Sequence, residues 1–285
     1  MFIYLNGDLV RKEDAVISPF DHGFLYGMGL FETIRVYNGH PFLLDDHLQR
    51  LNNSLEVLNI KTRYTRDEIL EILHPLLKIN ELTDAYVRLN VSAGIGEIGL
   101  QTEPYVHPNL IIFAKPLPPA KGLQEKKSVI LQLKRNTPEG FERLKSHHYL
   151  NNILAKREIG DHPECEGIFL TEDGYLAEGI VSNLFWIKDQ KLYTPALETG
   201  ILDGITRQFV MKLASKRGMR LEEGFFTLDE AKVADEVFVT NSIQEIVPLS
   251  LFDQEQKPGN QGVIVNDLQL QYKQYTTYVW SRDEL

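Results

Sequence analysis

The chain has 285 residues, a length that suits two domains or one large one. Of these residues 43% are apolar and 25% charged, which is the composition of an ordinary globular protein. Thirty Lys and Arg against forty Asp and Glu give a net charge of −10, which repels phosphate backbones and anionic membranes. We therefore expect a small-molecule substrate and neither a nucleic-acid nor a membrane partner. The single cysteine, Cys165, cannot form an internal disulfide, and the N-terminus does not resemble a signal peptide, so we expect a cytoplasmic protein.

The first 115 residues predict strands, then two helices, then two more strands. β-branched and aromatic residues with intervening turn signals predict strands over residues 2–5, 9–11 and 30–37. Leucines at three- and four-residue steps from Asp45 to Asn59, and a similar apolar pattern from Ile69 to Leu77, predict two amphipathic helices. Further strands are predicted over Ala85–Ser92 and 109–114.

A proline-rich stretch then divides the chain, because its prolines remove hydrogen-bond donors and fix φ. We predict an N-terminal α/β domain over residues 1–115, an interdomain linker over 116–122, and a β-rich C-terminal domain over 123–285. In that last domain the patterns predict helices at about 146–158 and 206–216, and strands over 128–134, 167–170, 181–186, 191–193 and 236–239. Strands and helices mixed in this way indicate an α+β protein.

Some motifs suggest cofactors that their surroundings do not support. Residues 94–99 match G-x-G-x-x-G, but Pro104 and Pro108 follow where a dinucleotide fingerprint would open a helix, so we interpret the motif as a loop. His147 and His148 are adjacent and diverge in either a strand or a helix, and residues 45–47 lie where N-capping is the simpler role. We therefore predict no metal site.

Four other segments carry residue types that together suit one cofactor. Lys145 is predicted to lie immediately before a helix, where its amine could attack an aldehyde. Glu178 is a carboxylate among apolar β residues, and a buried carboxylate needs a cationic partner, which a protonated pyridine nitrogen would supply. Residues 203–207 form a turn entering a helix, and Thr240–Ser242 follow a strand; both offer donors to a phosphate.

In these segments the sequence resembles fold type IV pyridoxal-phosphate enzymes, a group that includes branched-chain and D-amino-acid aminotransferases and 4-amino-4-deoxychorismate lyases. The resemblance covers nearly the whole chain, and it is strongest to the lyases in three runs: residues 18–26, 144–150 and 240–242. It implies the two-domain α+β architecture of those aminotransferases, pyridoxal 5'-phosphate as cofactor, and a homodimer.

Carried over residue by residue, the resemblance implies that Lys145 forms the Schiff base and that Glu178 partners the pyridine nitrogen. It assigns to the phosphate the residues Arg50, Ile205, Thr206, Asn241 and Ser242. Thr33 matches a threonine of the lyases near the reacting substrate atoms. The substrate carboxylate is assigned to Tyr86 and Arg88. Where D-amino-acid aminotransferases carry an Arg-x-His motif, this chain has Ile98 and Leu100.

The activity implied is therefore that of a lyase which converts 4-amino-4-deoxychorismate to 4-aminobenzoate and pyruvate, a step of folate biosynthesis. An aminotransferase of the same fold, acting on D-amino or branched-chain amino acids, is the alternative. A third hypothesis is a binding protein without catalysis, in which Lys145 is a surface charge and Glu178 a structural carboxylate.

Overall fold

The computed structural model describes residues 1–119 and 122–285, and they divide into two compact units. The first unit consists of Met1–Pro119, Leu144–His148 and Thr276–Glu284; the second consists of residues 122–143 and 149–275. Within these described residues, every helix is too short or too polar to cross a membrane.

The first unit is an antiparallel sheet covered by helices. Its elements are β1 Phe2–Leu5, β2 Asp8–Arg11, α1 His22–Tyr26, β3 Gly29–Tyr37, β4 His40–Pro41, α2 Leu44–Val57, α3 Arg66–Ile79, β5 Ala85–Ser92 and β6 Asn109–Pro116. Among the described residues the sheet has six strands in the order β2-β1-β6-β5-β3-β4. Leucines of α2 and α3 pack on one face of it, where they meet Ile34 of β3 and Val87 of β5. Because side chains alternate along a strand, the intervening residues of β3 and β5 point to the opposite face.

The end of the chain belongs to this first unit. The Trp280 ring lies 4.3 Å from the ring of His40 and 4.7 Å from the guanidinium carbon of Arg66. Arg282 donates its backbone N–H (2.7 Å) and its guanidinium (2.6 Å) to the buried carboxylate of Asp46. Asp45 and Asp46 lie in the first turn of α2, where carboxylates compensate the helix dipole, and they form ion pairs with Arg66 and Arg282. The predicted N-cap is wrong, because Leu43 occupies that position.

The second unit contains strands β7 to β15 and helices α4 to α7. They are β7 Lys126–Ile130, α4 Leu150–Ile159, β8 Cys165–Leu170, β9 Leu176–Gly179, β10 Asn183–Lys188, β11 Lys191–Pro195, α5 Ile205–Lys216, β12 Leu221–Gly224, α6 Leu228–Lys232, β13 Glu236–Asn241, β14 Glu245–Phe252, β15 Glu255–Gln256 and α7 Val263–Tyr275. The strands follow the order β12-β11-β10-β13-β14-β7-β8-β9, and β15 pairs with β14. Because β9 also pairs with β10, the strands from β10 to β9 close into a ring, and Glu178 and Asn183 face each other at the closure.

The structure confirms the predicted strands and helices of the first 114 residues to within a few residues. Strands β4, β9, β12, β14 and β15 and helices α1, α6 and α7 were not predicted. The helix expected from residue 146 begins only at Leu150, so Lys145 does not precede a helix directly. The expected boundaries also differ, because residues 144–148 and 276–284 join the first unit. Of the expected linker 116–122, residue 116 ends β6, and residues 120 and 121 lie outside the described residues.

Candidate active site

One face of the first unit's sheet gathers four of the residues predicted from the sequence. This is the face opposite α2 and α3, which we call the open face. In the antiparallel register of β3 and β5, Thr33 lies directly opposite Arg88, and Phe31 lies opposite Asn90. Tyr86 lies two residues before Arg88 and therefore points to the same side. Thr33, Tyr86 and Arg88 thus form one surface, together with Phe31 and Asn90.

Lys145 reaches this face on a short extended segment. The Phe31 N–H donates to the Lys145 carbonyl at 2.9 Å, and the His147 N–H donates to the Gly29 carbonyl at 3.0 Å. Ser146 forms an antiparallel bridge with Leu30, so residues 144–148 act as an extra strand along the edge of β3. Lys145 therefore lies opposite Phe31, and its Nζ lies 4.6 Å from the centre of the Phe31 ring. A strand edge, and not a helix start, positions the predicted lysine.

Arg88 is suited to bind an anion on this face. Its guanidinium carbon lies 3.7 Å from the centre of the Phe31 ring, and its Nε donates to Asn90 Oδ1 at 3.4 Å. Arg88 forms no salt bridge with any carboxylate of the described residues. A guanidinium that contacts a ring through its carbon and uses only Nε in a hydrogen bond keeps its outer N–H groups available for two parallel hydrogen bonds to a carboxylate.

The adjacent histidines pack against two glycines of the first unit. The His147 ring lies against Gly29, where an added Cβ would come within 2.3 Å of its Cε1 atom, and Nε2 is 3.1 Å from Asn90 Oδ1. His148 lies against Gly27 and donates from Nε2 to the Tyr26 carbonyl at 3.1 Å. Burial and the nearby Arg88 charge lower the pKa of His147 to about 4, so its ring is neutral at pH 7.

Arg50 lies on the other, helix-covered face of the sheet. Its Nε and Nη2 atoms donate to the two carboxylate oxygens of Glu32 at 2.8 and 2.6 Å, and His47 Nδ1 lies 2.7 Å from one of these oxygens. Burial raises the pKa of the Glu32 carboxyl, but Arg50 and His47 outweigh burial and lower that pKa to about 2. Glu32 therefore holds Arg50 in one orientation. The predicted contact of Arg50 with a phosphate stays a prediction.

The second unit offers an anion site at the start of α5. Gly204 precedes this helix without a side-chain cap, which leaves the first backbone N–H groups of the helix without an intrahelical acceptor. A Cβ on Gly204 would lie 2.0 Å from Asn183 Oδ1, so only glycine fits there. The Thr206 hydroxyl donates to the Ser242 hydroxyl at 3.4 Å. Ile205, Thr206 and Ser242 thus present N–H and O–H groups together at the positive end of a helix dipole.

Thr240 adds a hydroxyl to this candidate site. The sequence analysis named it only as part of the segment Thr240–Ser242 and assigned it no contact of its own. It is 1% exposed, and its Oγ1 is buried and has no hydrogen-bond partner in the described part of the chain. Asn241, by contrast, uses its side chain within the following turn, because its Oδ1 accepts from the N–H groups of Ile243 at 3.0 Å and Gln244 at 2.7 Å. The Asn241 amide is therefore engaged in the turn, whereas Thr240 is a buried donor that a ligand could use.

Glu178 lies at the ring closure and already has a cationic partner. Its Oε1 accepts from Arg135 Nε at 2.8 Å, and its Oε2 accepts from the Leu202 N–H at 3.0 Å. Arg143 Nε is 3.9 Å away, and burial together with the Arg135 charge lowers the pKa of Arg143 to about 10. Arg135 thus supplies a cation that the sequence interpretation did not foresee, and the predicted contact of Glu178 with a pyridine nitrogen stays a prediction. The ion pair with Arg135 fixes the orientation of the Glu178 carboxylate, whose oxygens can accept further hydrogen bonds.

Residues that sequence reasoning missed are mostly partners of those it found. Glu32, Asn90 and Arg135 are polar residues within or next to apolar strands, and that position was the available signal of a buried polar contact.

The loop with the G-x-G-x-x-G motif contains no helix, and a buried His22 fixes it by a 2.8 Å hydrogen bond to the Glu97 carbonyl. Ile98 and Leu100 of this loop are exposed.

Comparisons with known proteins agree with this geometry. Residues 29–252 match the family model described as amino-transferase class IV. The chain is 50% identical to the aminodeoxychorismate lyase of Bacillus subtilis over 273 residues, which are 95% of this chain and 93% of that protein.

Solved structures show the same fold. The branched-chain amino acid aminotransferase of Escherichia coli superposes with a TM-score of 0.86 at 31% identity, over 97% of this chain and 94% of that one. The branched-chain aminotransferase of the archaeon Thermoproteus uzoniensis, solved with norvaline, gives 0.86 at 28% identity with coverages of 96% and 94%. The resemblance and the α+β fold expected from the sequence are confirmed. The chain belongs to the amino-transferase class IV family.

Proposed function

We propose that this protein is a pyridoxal-phosphate-dependent lyase that converts 4-amino-4-deoxychorismate into 4-aminobenzoate and pyruvate. The observation that carries the proposal is the open face of the first unit, where Lys145, Thr33 and Arg88 lie around the ring of Phe31. The 50% identity to a protein named aminodeoxychorismate lyase, over nearly all of both chains, supports the choice of reaction.

The residues present fit pyridoxal phosphate. The phosphate would be held in the second unit by the N–H groups at the start of α5, by the hydroxyls of Thr206 and Ser242, and by the buried Thr240 hydroxyl that has no partner among the described residues. Glu178, held in orientation by its hydrogen bond from Arg135, would accept the hydrogen of the pyridine nitrogen. From the family resemblance we retain Lys145 as the residue that would bind the aldehyde carbon and Arg50 as a phosphate contact.

In this mechanism Lys145 is the base that removes the proton from the substrate carbon bearing the amine. The chemistry supplied by bound pyridoxal phosphate is acceptance of the electron pair that this proton leaves behind. The C–O bond to the enolpyruvyl group then breaks, the ring becomes aromatic, and the released enolpyruvate takes up a proton to become pyruvate. Thr33, next to Phe31 on the open face, would hydrogen-bond the substrate near this bond, and Arg88 would bind one of its carboxylates.

An amino-acid aminotransferase is the second candidate, because two solved structures that superpose with a TM-score of 0.86 are branched-chain aminotransferases. The two reactions share the proton removal by Lys145 and differ in the next step, which is either loss of the enolpyruvyl group or return of a proton. Ile98 and Leu100, 77% and 93% exposed, provide no cation where D-amino-acid aminotransferases carry an Arg-x-His motif, which counts against a D-amino acid as substrate.

Location and assembly belong to the same proposal. A net charge of −10 and a single cysteine suit an enzyme of the cytoplasm that acts on a small molecule. Exposed apolar side chains of the first unit, which include Phe24 at 70% and Ile95 at 69%, support the homodimer that the family resemblance implies.

The cofactor bond can be located chemically. Borohydride treatment of the yellow protein is expected to attach the pyridoxyl group irreversibly to Lys145, because only the imine of the bound lysine is reduced. Peptide mapping by mass spectrometry checks this result, with Lys156 of α4 as the internal control that should stay unlabelled. A label on Lys156, or no bound cofactor, would exclude the assignment of Lys145.

The phosphate site can be tested separately from the rest of the cofactor site by comparing pyridoxal phosphate with pyridoxal, which has no phosphate. Thr206→Val removes one hydroxyl at the start of α5 and should weaken the affinity for pyridoxal phosphate roughly three- to tenfold, the usual range for one neutral hydrogen bond. The affinity for pyridoxal, which lacks the phosphate, should stay unchanged. Equilibrium dialysis of the apoprotein measures both, and an equal loss for the two ligands would contradict the assignment.

The reaction itself is tested by products. With 4-amino-4-deoxychorismate and no added keto acid, we expect 4-aminobenzoate and pyruvate in equal amounts, since the bond cleavage needs no second substrate. A panel of L- and D-amino acids, tested with a keto acid, is the control for the aminotransferase alternative. If no 4-aminobenzoate forms while an amino acid is readily converted, the aminotransferase is the correct function.

A further inference from the structure

The most informative contact outside the assigned residues is that between His147 and Asn90. His147 lies two residues after Lys145 on the strand that borders β3, and its Nε2 is 3.1 Å from Asn90 Oδ1. Arg88 donates from Nε to the same oxygen at 3.4 Å. An amide oxygen only accepts hydrogen bonds, so His147 donates from Nε2, and the two donors together fix the Asn90 side chain.

This contact determines where the Arg88 guanidinium can lie. Arginine side chains have many rotamers, and binding a carboxylate through both outer nitrogens requires one of them. The Phe31 ring fixes the plane of the guanidinium, at 3.7 Å from its carbon, and Asn90 fixes its rotation within that plane through Nε. The His147 ring packs against Gly29, in the space that a side chain at position 29 would occupy.

We propose that His147 is a positioning residue for substrate specificity, which acts through Asn90 to hold Arg88 ready for one carboxylate of a cyclic dicarboxylate. This inference rests on the proposed function and adds to it a residue that the family resemblance does not assign. The ligand class is that of the proposed substrate, and the structure contributes Arg88, a cation without a carboxylate partner among the described residues. His147 contributes a hydrogen bond here, and the anion is bound by Arg88.

The neighbouring His148 provides a matched control. It belongs to the same extended segment and also lies against a glycine, but its Nε2 donates to the Tyr26 carbonyl and not to Asn90. It is exposed, whereas His147 is half-buried. Replacing either histidine removes an imidazole from the same strand, yet only replacement of His147 should affect Arg88.

The test compares His147→Ala, His147→Gln and His148→Ala as cofactor-loaded enzymes. The probe is chorismate, a cyclic dicarboxylate with a hydroxyl in place of the substrate amine, and calorimetry measures its affinity. His147→Ala should weaken chorismate binding roughly three- to tenfold, the effect of one hydrogen bond. The KM for 4-amino-4-deoxychorismate should rise by a similar factor with kcat nearly unchanged. His147→Gln should restore binding, because its Nε2 amide can replace the imidazole donor, and His148→Ala should behave as wild type.

Two further measurements keep the outcomes distinct. Asn90→Ala should reproduce the loss of chorismate affinity, which provides a second variant if His147→Ala does not fold. If His147→Ala binds chorismate as tightly as His148→Ala, or if His147→Gln restores nothing, the inference is wrong; it is also wrong if wild type does not bind chorismate. If wild type binds chorismate but forms no 4-aminobenzoate, the proposed function fails, and the loss of binding in His147→Ala still supports the role of His147.

Discussion

The pairing of residues 144–148 with the edge of β3 is the interaction on which the candidate active site of the first unit depends. Two backbone hydrogen bonds, of 2.9 and 3.0 Å, fix this segment, although residues 122–143 before it and 149–275 after it belong to the second unit. Strand pairing sets the face to which each side chain points, so one register places Lys145 on the open face and Ser146 away from it. Thr33 and Arg88 reach the same face through the register of β3 and β5.

Buried charge is treated differently on the two sides of this sheet. On the helix-covered side Arg50 and Glu32 neutralise each other, and His47 completes the set. On the open face Arg88 has no carboxylate partner among the described residues and lies on an aromatic ring instead. Because Arg88 has no carboxylate partner there, it can bind an incoming anion without first breaking an ion pair. In the second unit, Glu178 and Arg135 form a similar ion pair. The candidate anion site of this unit is instead the start of α5, which has no side-chain cap.

Much of this could be predicted from the sequence, and the failures have physical causes. The leucine periodicity of α2 and the alternation in β5 indicated their elements directly, because each buries one face against the core. The position of Lys145 was predicted wrongly, since pairing with β3 involves residues more than a hundred positions apart and leaves no local periodic pattern. The partner of Glu178 was missed for the same reason: Arg135 is 43 residues away, so no local pattern pairs the two residues.

The central claim is that a strand pairing, formed within the first unit, holds Lys145, the lysine that we propose binds the cofactor. Hydrogen exchange of the apoprotein, measured at single amides by NMR, tests it most directly. The amides of Phe31 and His147 donate across this pairing, so the account predicts that both are protected to an extent similar to the amides between β3 and β5. Exchange of these two amides at the rate of an exposed loop, with the β3–β5 amides still protected, would contradict it.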